Sequence, residues 1–231
     1  MSKRQAHRTN QRHGHHRSQT LLGGPPLLDL DPHFREIMDR IDEHGFAWSE
    51  LAEEIMPIFE RARPFSHEAA PPVLAVVPPG VTVGFGVDAG PVFLRIATAH
   101  LEAWPVDLAG LTAQAVENLG RRARRARPRD VLHDTVAGVP AVLFQSLDGW
   151  ASTTVLVPDA MEQLFGLDPA LFIAPSRDLL IGLPPEVDLE FATWLTEEFE
   201  ATDPNGLRLE AFEWRAGIVR CQPLRRDAIA V

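Results

Sequence analysis

The sequence predicts an α+β protein with a mainly antiparallel sheet built from hairpins with intervening helices, plus N-terminal helices and a disordered N-terminal arm. Short apolar runs rich in β-formers occur in pairs joined by turn residues. Segments with helical periodicity and capping residues lie between these pairs. The 231 residues are 45% hydrophobic, which suffices for one large core, and no apolar run is long enough to predict a membrane-spanning helix.

Charge is distributed unevenly along the chain. Residues 1–20 contain five cations, four histidines and no acid, whereas the rest contains 17 cations and 32 acids. Because residues 1–20 lack apolar periodicity and a signal-peptide core, we predict a disordered basic arm and no secretory signal. Its run His13-Gly14-His15-His16 has no scaffold to orient the imidazoles. We therefore expect at most weak polyanion or metal binding there, and we predict no metal site and no cofactor.

Two helices are predicted before residue 65. Asp31 suits the N-cap of the first, Pro32 its first position and Gly45 its end. Ser49 suits the cap of the second, which Pro57 is expected to kink or end. The apolar positions at helical spacing are Phe34, Ile37, Met38 and Ile41, then Leu51, Ile55, Ile58 and Ala62.

A linker and a hairpin are predicted next. Residues 65–72 have the composition of a linker. The β-rich runs 73–77 and 81–85 flank Pro78-Pro79-Gly80, which is typical of a hairpin turn. Residues 93–96 are expected to form another strand.

An arginine-rich helix is predicted near residue 112. Thr112 suits its N-cap, with Leu111 and Val116 as a hydrophobic staple. One face holds Ala115, Leu119, Ala123 and Ala126. The other face and the C-terminal end hold Arg121, Arg122, Arg124, Arg125, Arg127 and Arg129. These cations complement the helix dipole, and four of them are also a candidate anion-binding patch: Arg121, Arg122, Arg124 and Arg125.

A second hairpin is predicted after this helix. Residues 131–136 and 141–145 flank Ala137-Gly138, a turn signal. Residues 148–165 are compatible with helix or strand, and Pro158 divides them in either case.

The chain is predicted to close with buried strands, a helix and a last hairpin. Runs 171–174 and 179–181 surround a turn at 175–178. Asp188 suits the cap of a helix that buries Phe191, Trp194, Leu195 and Phe199 and stops before residue 204. The hairpin pairs residues 207–214 with 218–221, and the change of apolar phase at Phe212 indicates a bulge or a buried end.

These elements divide the chain into the arm 1–20, a helical segment 21–64 and an α+β domain 73–223. Six short segments followed by the last hairpin have a recognisable order and spacing: 87–90, 93–96, 115–119, 134–138, 148–152 and 173–178. On these segments the chain resembles, from about residue 85 to 221, the YtpQ family of bacterial proteins, a group of unknown function. The resemblance implies a fold for this region but no activity, cofactor or catalytic residue, and the first 70 residues depart from the pattern.

No catalytic motif is present in the sequence. Gly84-Phe85-Gly86 lacks the third glycine and the helix start of a phosphate loop. A hydrolase would recruit Ser176, His133 and either Asp134 or Asp178, but Ser176 lacks the glycines of a nucleophile elbow. Cys221 is expected to be a small buried side chain. We predict no catalytic residue.

Two turns form a candidate contact site with Asp148, Trp150, Arg177 and Asp178. If the turns are adjacent, Trp150 and Arg177 would contact a carboxylate or a peptide. The alternative is structural: Asp148 caps a helix, Trp150 anchors the core and Arg177 pairs with Asp178 or another carboxylate.

The sequence therefore favours a cytoplasmic, non-catalytic protein that acts by protein–protein contact through an unknown partner. The alternatives are an undetected hydrolase or transferase, and a nucleic-acid accessory protein that uses the arginines at 121–129. The acidic body of the chain argues against broad nucleic-acid binding, and no membrane association is expected.

Overall fold

The computed structural model describes residues 32–60, 71–89, 93–146, 149–203, 206–207 and 210–224. Within them it confirms the α+β class, with helices packed on antiparallel sheets. The predicted N-terminal arm 1–20 and the caps Asp31 and Asp148 lie outside the described residues.

Groups of one or two helices alternate with groups of two to four strands along the described chain. The helices are α1 (Pro32–His44), α2 (Trp48–Leu51), α3 (Thr98–Ala103), α4 (Leu108–Ala123), α5 (Pro158–Phe165) and α6 (Leu189–Thr202). Short 3-10 turns occur at Ala52–Glu54, Pro128–Asp130 and Ser152–Leu156. The strands are β1 (Ile55–Phe59), β2 (Leu74–Val77), β3 (Val81–Asp88), β4 (Phe93–Arg95), β5 (Val131–Val136), β6 (Val139–Gln145), β7 (Ala170–Ser176), β8 (Leu179–Leu183), β9 (Ala211–Arg215) and β10 (Ile218–Gln222).

The first predicted helix is confirmed and the second is wrong. Helix α1 ends at Gly45, where a φ of +65° suits a residue without Cβ. The segment predicted as a long helix from Ser49 makes one turn of α2 and one 3-10 turn, then becomes β1. Every residue of β1 is buried, whereas an amphipathic helix buries one stripe. Pro57, which would break a helix, is tolerated because β1 is an edge strand.

The smaller sheet is organised around β3. Strand β1 pairs with one edge of β3, while β2 and β4 share the other edge. The predicted hairpin through Pro78-Pro79-Gly80 is confirmed as β2–β3, and the strand expected at 93–96 is β4. Strand β1 belongs to the predicted helical segment 21–64 but pairs with the domain predicted at 73–223, so both share one hydrophobic core.

The larger sheet has six antiparallel strands in the order β10-β9-β7-β8-β6-β5. The predicted hairpins β5–β6, β7–β8 and β9–β10 are confirmed. Strand β9 begins only at Ala211, so Phe212 and Trp214 alternate regularly within it. The change of apolar phase in the sequence arises because the predicted strand 207–214 includes residues that precede β9.

Side chains from alternate positions bury both faces of this sheet. One face packs on the shared core with β1 and α4, through Phe172, Leu180, Phe212 and Trp214. The other packs under α6, through Leu171, Ile173, Ile181 and Leu183. Asp188 caps α6 as predicted, since its Oδ1 accepts the Glu190 N–H at 2.9 Å. Trp194, however, is 45% exposed, which corrects its predicted burial.

Helix α4 starts earlier than predicted. Its N-cap is Asp107, whose Oδ1 accepts the Gly110 N–H at 2.8 Å. Thr112 lies inside the helix, and its hydroxyl donates to the Leu108 carbonyl at 2.7 Å. The carboxylate of Asp107 satisfies the free Gly110 N–H one turn before Thr112 could cap the helix, which explains the error.

The described residues of the ambiguous region at 148–165 form a 3-10 turn and a helix and no strand. The 3-10 turn Ser152–Leu156 is buried throughout and lies between β1, α4 and the larger sheet. Pro158 then occupies the first turn of α5, where its missing N–H costs nothing.

Two hairpin turns contain alanine in the left-handed region, so asparagine there is expected to stabilise the fold. Ala137 and Ala216 have φ of +48° and +50°, and each precedes a glycine with positive φ. Asparagine adopts this conformation more readily. Ala216→Asn should raise the free energy of unfolding by about 0.5–1 kcal/mol in urea denaturation. Ala216→Val is the control and should lower it, because a β-branched side chain resists positive φ. Equal stabilities of the two variants would contradict this account.

Candidate functional site

A cleft of about 430 Å³ lies between α1, the Ala52–Glu54 turn, the end of β3 and α4. We call it the arginine cleft. Arg121, Arg122 and Arg125 form its basic wall, and Glu53 and Glu54 of the Ala52–Glu54 turn form its acidic wall. The remaining lining side chains are His33, Met56, Asp88 and Asn118.

Asn118 fixes the position of the basic wall. Its side chain is buried in α4, and its Nδ2 donates to the carbonyls of Ala52 and Ile55, both at 2.7 Å. Its Oδ1 accepts from Gln114 Nε2 at 2.9 Å and from Arg121 Nη2 at 2.6 Å. All four bonding positions of the amide are used, so Asn118 joins α4 to β1 and orients Arg121.

An ion pair between the buried Asp88 and the partly exposed Arg122 lies in the lining of the cleft. The Asp88 side chain is only 2% exposed and pairs with Arg122 of α4. His33 Nε2 donates to the main-chain oxygen of Asp88 at 3.1 Å, which brings α1 to the same point. Because Arg122 is committed to Asp88, it belongs to the framework of the cleft.

The acidic side of the cleft is held by α1. Arg40 Nη2 lies 3.4 Å from Glu54 Oε1, and Arg40 Nη1 donates to the Glu50 carbonyl at 2.9 Å. Glu53 is exposed beside Glu54 and forms no ion pair within the described part of the chain. The cleft therefore presents one carboxylate that is fixed and one that is accessible.

The arginine cluster predicted from the sequence has several separate roles. Arg121 and Arg125 reach the cleft, whereas Arg124 packs over Gly120, where an added Cβ would lie 3.2 Å from its Nη1. Arg127 Nη1 donates to the Arg124 and Ala126 carbonyls at 2.6 and 3.1 Å, so it satisfies the end of α4. The predicted anion patch thus contributes three of its four members to the cleft, without Arg124.

The structure brings the two turns of the second candidate site together. Asp178 Oδ1 accepts the Gly149 N–H at 2.6 Å. Trp150, however, is 7% exposed and packs edge-on against Phe144, with ring centroids 5.4 Å apart. Arg177 turns towards β1, where Nη2 lies 3.5 Å from Glu60 Oε2. These positions match the structural alternative for Trp150 and Arg177.

The residues that a hydrolase would recruit are spread across the larger sheet. Ser176 ends β7, while His133 and Asp134 lie on β5. Strands β8 and β6 separate β7 from β5, a spacing of roughly 14 Å. Ser176 and His133 are therefore not within reach of each other.

Cys221 on β10 is half-buried rather than fully buried as expected. Burial and the nearby Glu210 carboxylate raise the pKa of its thiol. Both effects disfavour the reactive thiolate.

His100 of α3 is expected to make stability depend on pH. Its Nδ1 accepts the Ala97 N–H at 3.1 Å, and its ring stacks on Phe46 with centroids 4.4 Å apart. Burial lowers the pKa of His100 below the usual value of about 6.5. The unfolded chain therefore binds the proton more readily than the folded one. Its contribution to the free energy of unfolding should be complete above about pH 6.5 and should decline as the pH falls below it.

The variant His100→Gln tests this expectation, because glutamine retains an acceptor without titrating. Urea denaturation of both proteins between about pH 8 and pH 5 should show a stability difference that changes with pH. Parallel curves would assign the pH dependence to other groups.

No known protein family, curated protein or solved structure matches the chain. The resemblance to the YtpQ family therefore stays a prediction. Within the described ranges, no cluster of three or more His, Cys, Asp or Glu side chains is arranged to hold a metal. None of the described helices combines the length and the apolar character needed to cross a membrane.

Proposed function

We propose that the protein is a non-catalytic protein-interaction module that binds a carboxylate-bearing segment of its partner in the arginine cleft. The observation that carries this proposal is the position of Arg121 and Arg125. Both guanidiniums line the cleft, and that of Arg125 makes no hydrogen bond or ion pair with any residue the structure describes. Arg121 uses one donor on Asn118, which leaves others for a ligand.

Two guanidiniums in one cleft favour a carboxylate as the bound group. The planar fork of arginine matches the two oxygens of a carboxylate and forms shorter, stronger charge-assisted hydrogen bonds than neutral donors. Because Asn118 already holds Arg121, less side-chain freedom is lost when a ligand binds.

The composition of the cleft supports binding over covalent chemistry. Its described lining contains no serine, threonine, cysteine or lysine that would act as a nucleophile. Glu53 is exposed in the lining beside the arginines and weakens the attraction of the cleft for a phosphate backbone. A protein segment therefore fits the cleft better than a nucleic acid.

Peptide binding tests the proposal. Two acetylated and amidated peptides, tetraglutamate and alternating glutamate–lysine, are titrated against the full chain by calorimetry, with tetraglutamine as the neutral control. At least one carboxylate peptide should bind, and Arg121→Ala/Arg125→Ala should weaken it by about tenfold or more. Arg124→Ala/Arg129→Ala is the matched control, because it removes the same two charges outside the cleft, and it should change the Kd less than threefold.

Either of two results would overturn the proposal: neither carboxylate peptide binds, or Arg124→Ala/Arg129→Ala weakens binding as much as Arg121→Ala/Arg125→Ala does. Circular dichroism and thermal unfolding of each variant establish that a loss of binding is not a loss of folding.

A further inference from the structure

The two walls of the arginine cleft carry opposite charge. Arg121 and Arg125 form the basic wall, and Glu53 and Glu54 form the acidic wall. The two carboxylates differ in their surroundings. Arg40 already holds Glu54, with Nη2 at 3.4 Å from Oε1, whereas Glu53 is exposed and has no ion-pair partner among the described residues.

We propose that the partner segment is amphoteric: an acidic side chain enters between Arg121 and Arg125 while a neighbouring lysine or arginine of the partner pairs with Glu53. This inference rests on the proposed function and specifies the chemistry of the segment. Recognition by both walls makes the cleft select a mixed-charge sequence over a purely acidic one.

Electrostatics give the reason for this selection. A purely acidic segment gains from the arginines but is repelled by Glu53, because like charges a few ångströms apart disfavour binding. A cation beside the acid converts that repulsion into attraction. Repulsion by Glu53 therefore contributes to specificity together with attraction by Arg121 and Arg125.

The same reasoning distinguishes Glu53 from the acids of the framework. Asp88 is neutralised by Arg122 and is 2% exposed, so it has no surface to offer a ligand. Glu54 shares its charge with Arg40. Glu53 is thus the carboxylate whose removal should change ligand preference without disturbing the fold.

The test compares the tetraglutamate and alternating glutamate–lysine peptides on wild type and Glu53→Gln. Wild type should bind the alternating peptide about tenfold more tightly than tetraglutamate. Glu53→Gln should weaken the alternating peptide and strengthen tetraglutamate, which reduces the preference to less than threefold. Glu197→Gln on α6, on the far side of the larger sheet, makes the same change in net charge and should leave the preference unaltered.

The outcomes separate this inference from the proposed function. If tetraglutamate binds wild type as tightly as the alternating peptide, and Arg121→Ala/Arg125→Ala still weakens both, the amphoteric segment is refuted and the carboxylate cleft stands. If Glu197→Gln changes the preference as Glu53→Gln does, the effect is one of net charge and the inference fails. If neither peptide depends on Arg121 and Arg125, both proposals fail.

Discussion

Gly182→Ala is expected to lower the free energy of unfolding by about 3 kcal/mol. Gly182 lies in β8 directly between Val142 of β6 and Phe172 of β7. A Cβ at this position would lie 2.5 Å from Val142 Cγ2 and 2.6 Å from Phe172 Cε1. The Phe172 ring is fully buried and packs on Phe165 with centroids 4.7 Å apart, so it has little room to move.

Urea denaturation measures this effect, and two further variants control it. Gly110→Ala adds a methyl group in the first turn of α4, where the nearest atom is 3.4 Å away, and should leave stability unchanged or raise it. The loss in Gly182→Ala/Phe172→Leu should be smaller than the sum of the losses in the two single variants, because the smaller side chain makes room for the Cβ. A loss below about 1 kcal/mol for Gly182→Ala would mean that the sheet is less tightly packed than described.

Glu60→Gln is expected to lower the free energy of unfolding by about 2–3 kcal/mol. The Glu60 side chain is 5% exposed, and its Oε2 lies 2.9 Å from Arg95 Nη2 and 3.5 Å from Arg177 Nη2. These contacts join β1 and β4 of the smaller sheet to the β7–β8 turn of the larger one. Glutamine at this position removes the negative charge that pairs with Arg95 and Arg177. The loss of stability stays below that for a fully buried ion pair because both arginines are partly solvated.

A double-mutant cycle isolates this interaction. Glu60→Gln, Arg177→Met and the combined variant are compared by urea denaturation. The coupling energy between Glu60 and Arg177 should be about 1 kcal/mol or more. Strict additivity would show that the two side chains do not stabilise each other.

The hairpins were predictable because their signals are local. Turns such as Ala137-Gly138 and Ala216-Gly217 lie between β-rich runs, and the structure places each in a two-residue turn. Strand β1 was missed because its apolar spacing also fits a helix. Only pairing with β3, about 30 residues further along the chain, decides its conformation.

The arginine cleft was predictable only in part. A run of arginines in α4 marked an anion patch, but the difference between Arg124 and Arg125 depends on where α4 packs. Asn118 was overlooked, although it lies on the apolar stripe with Leu111 and Ala115, where a polar residue signals buried hydrogen bonds. The acidic wall comes from residues about 70 positions before the arginines, and Glu60 contacts Arg177, which lies 117 positions later in the chain. The spacing of residues in the sequence does not predict such long-range contacts.

Side-chain NMR of arginine tests the central claim most directly. The Nε–Hε signals of the ¹⁵N-labelled full chain are followed as the alternating glutamate–lysine peptide is added. The arginine cleft predicts that the signals of Arg121 and Arg125 shift and saturate together while those of Arg124 and Arg129 stay in place. Saturable shifts at Arg124 and Arg129, with Arg121 and Arg125 unmoved, would contradict it.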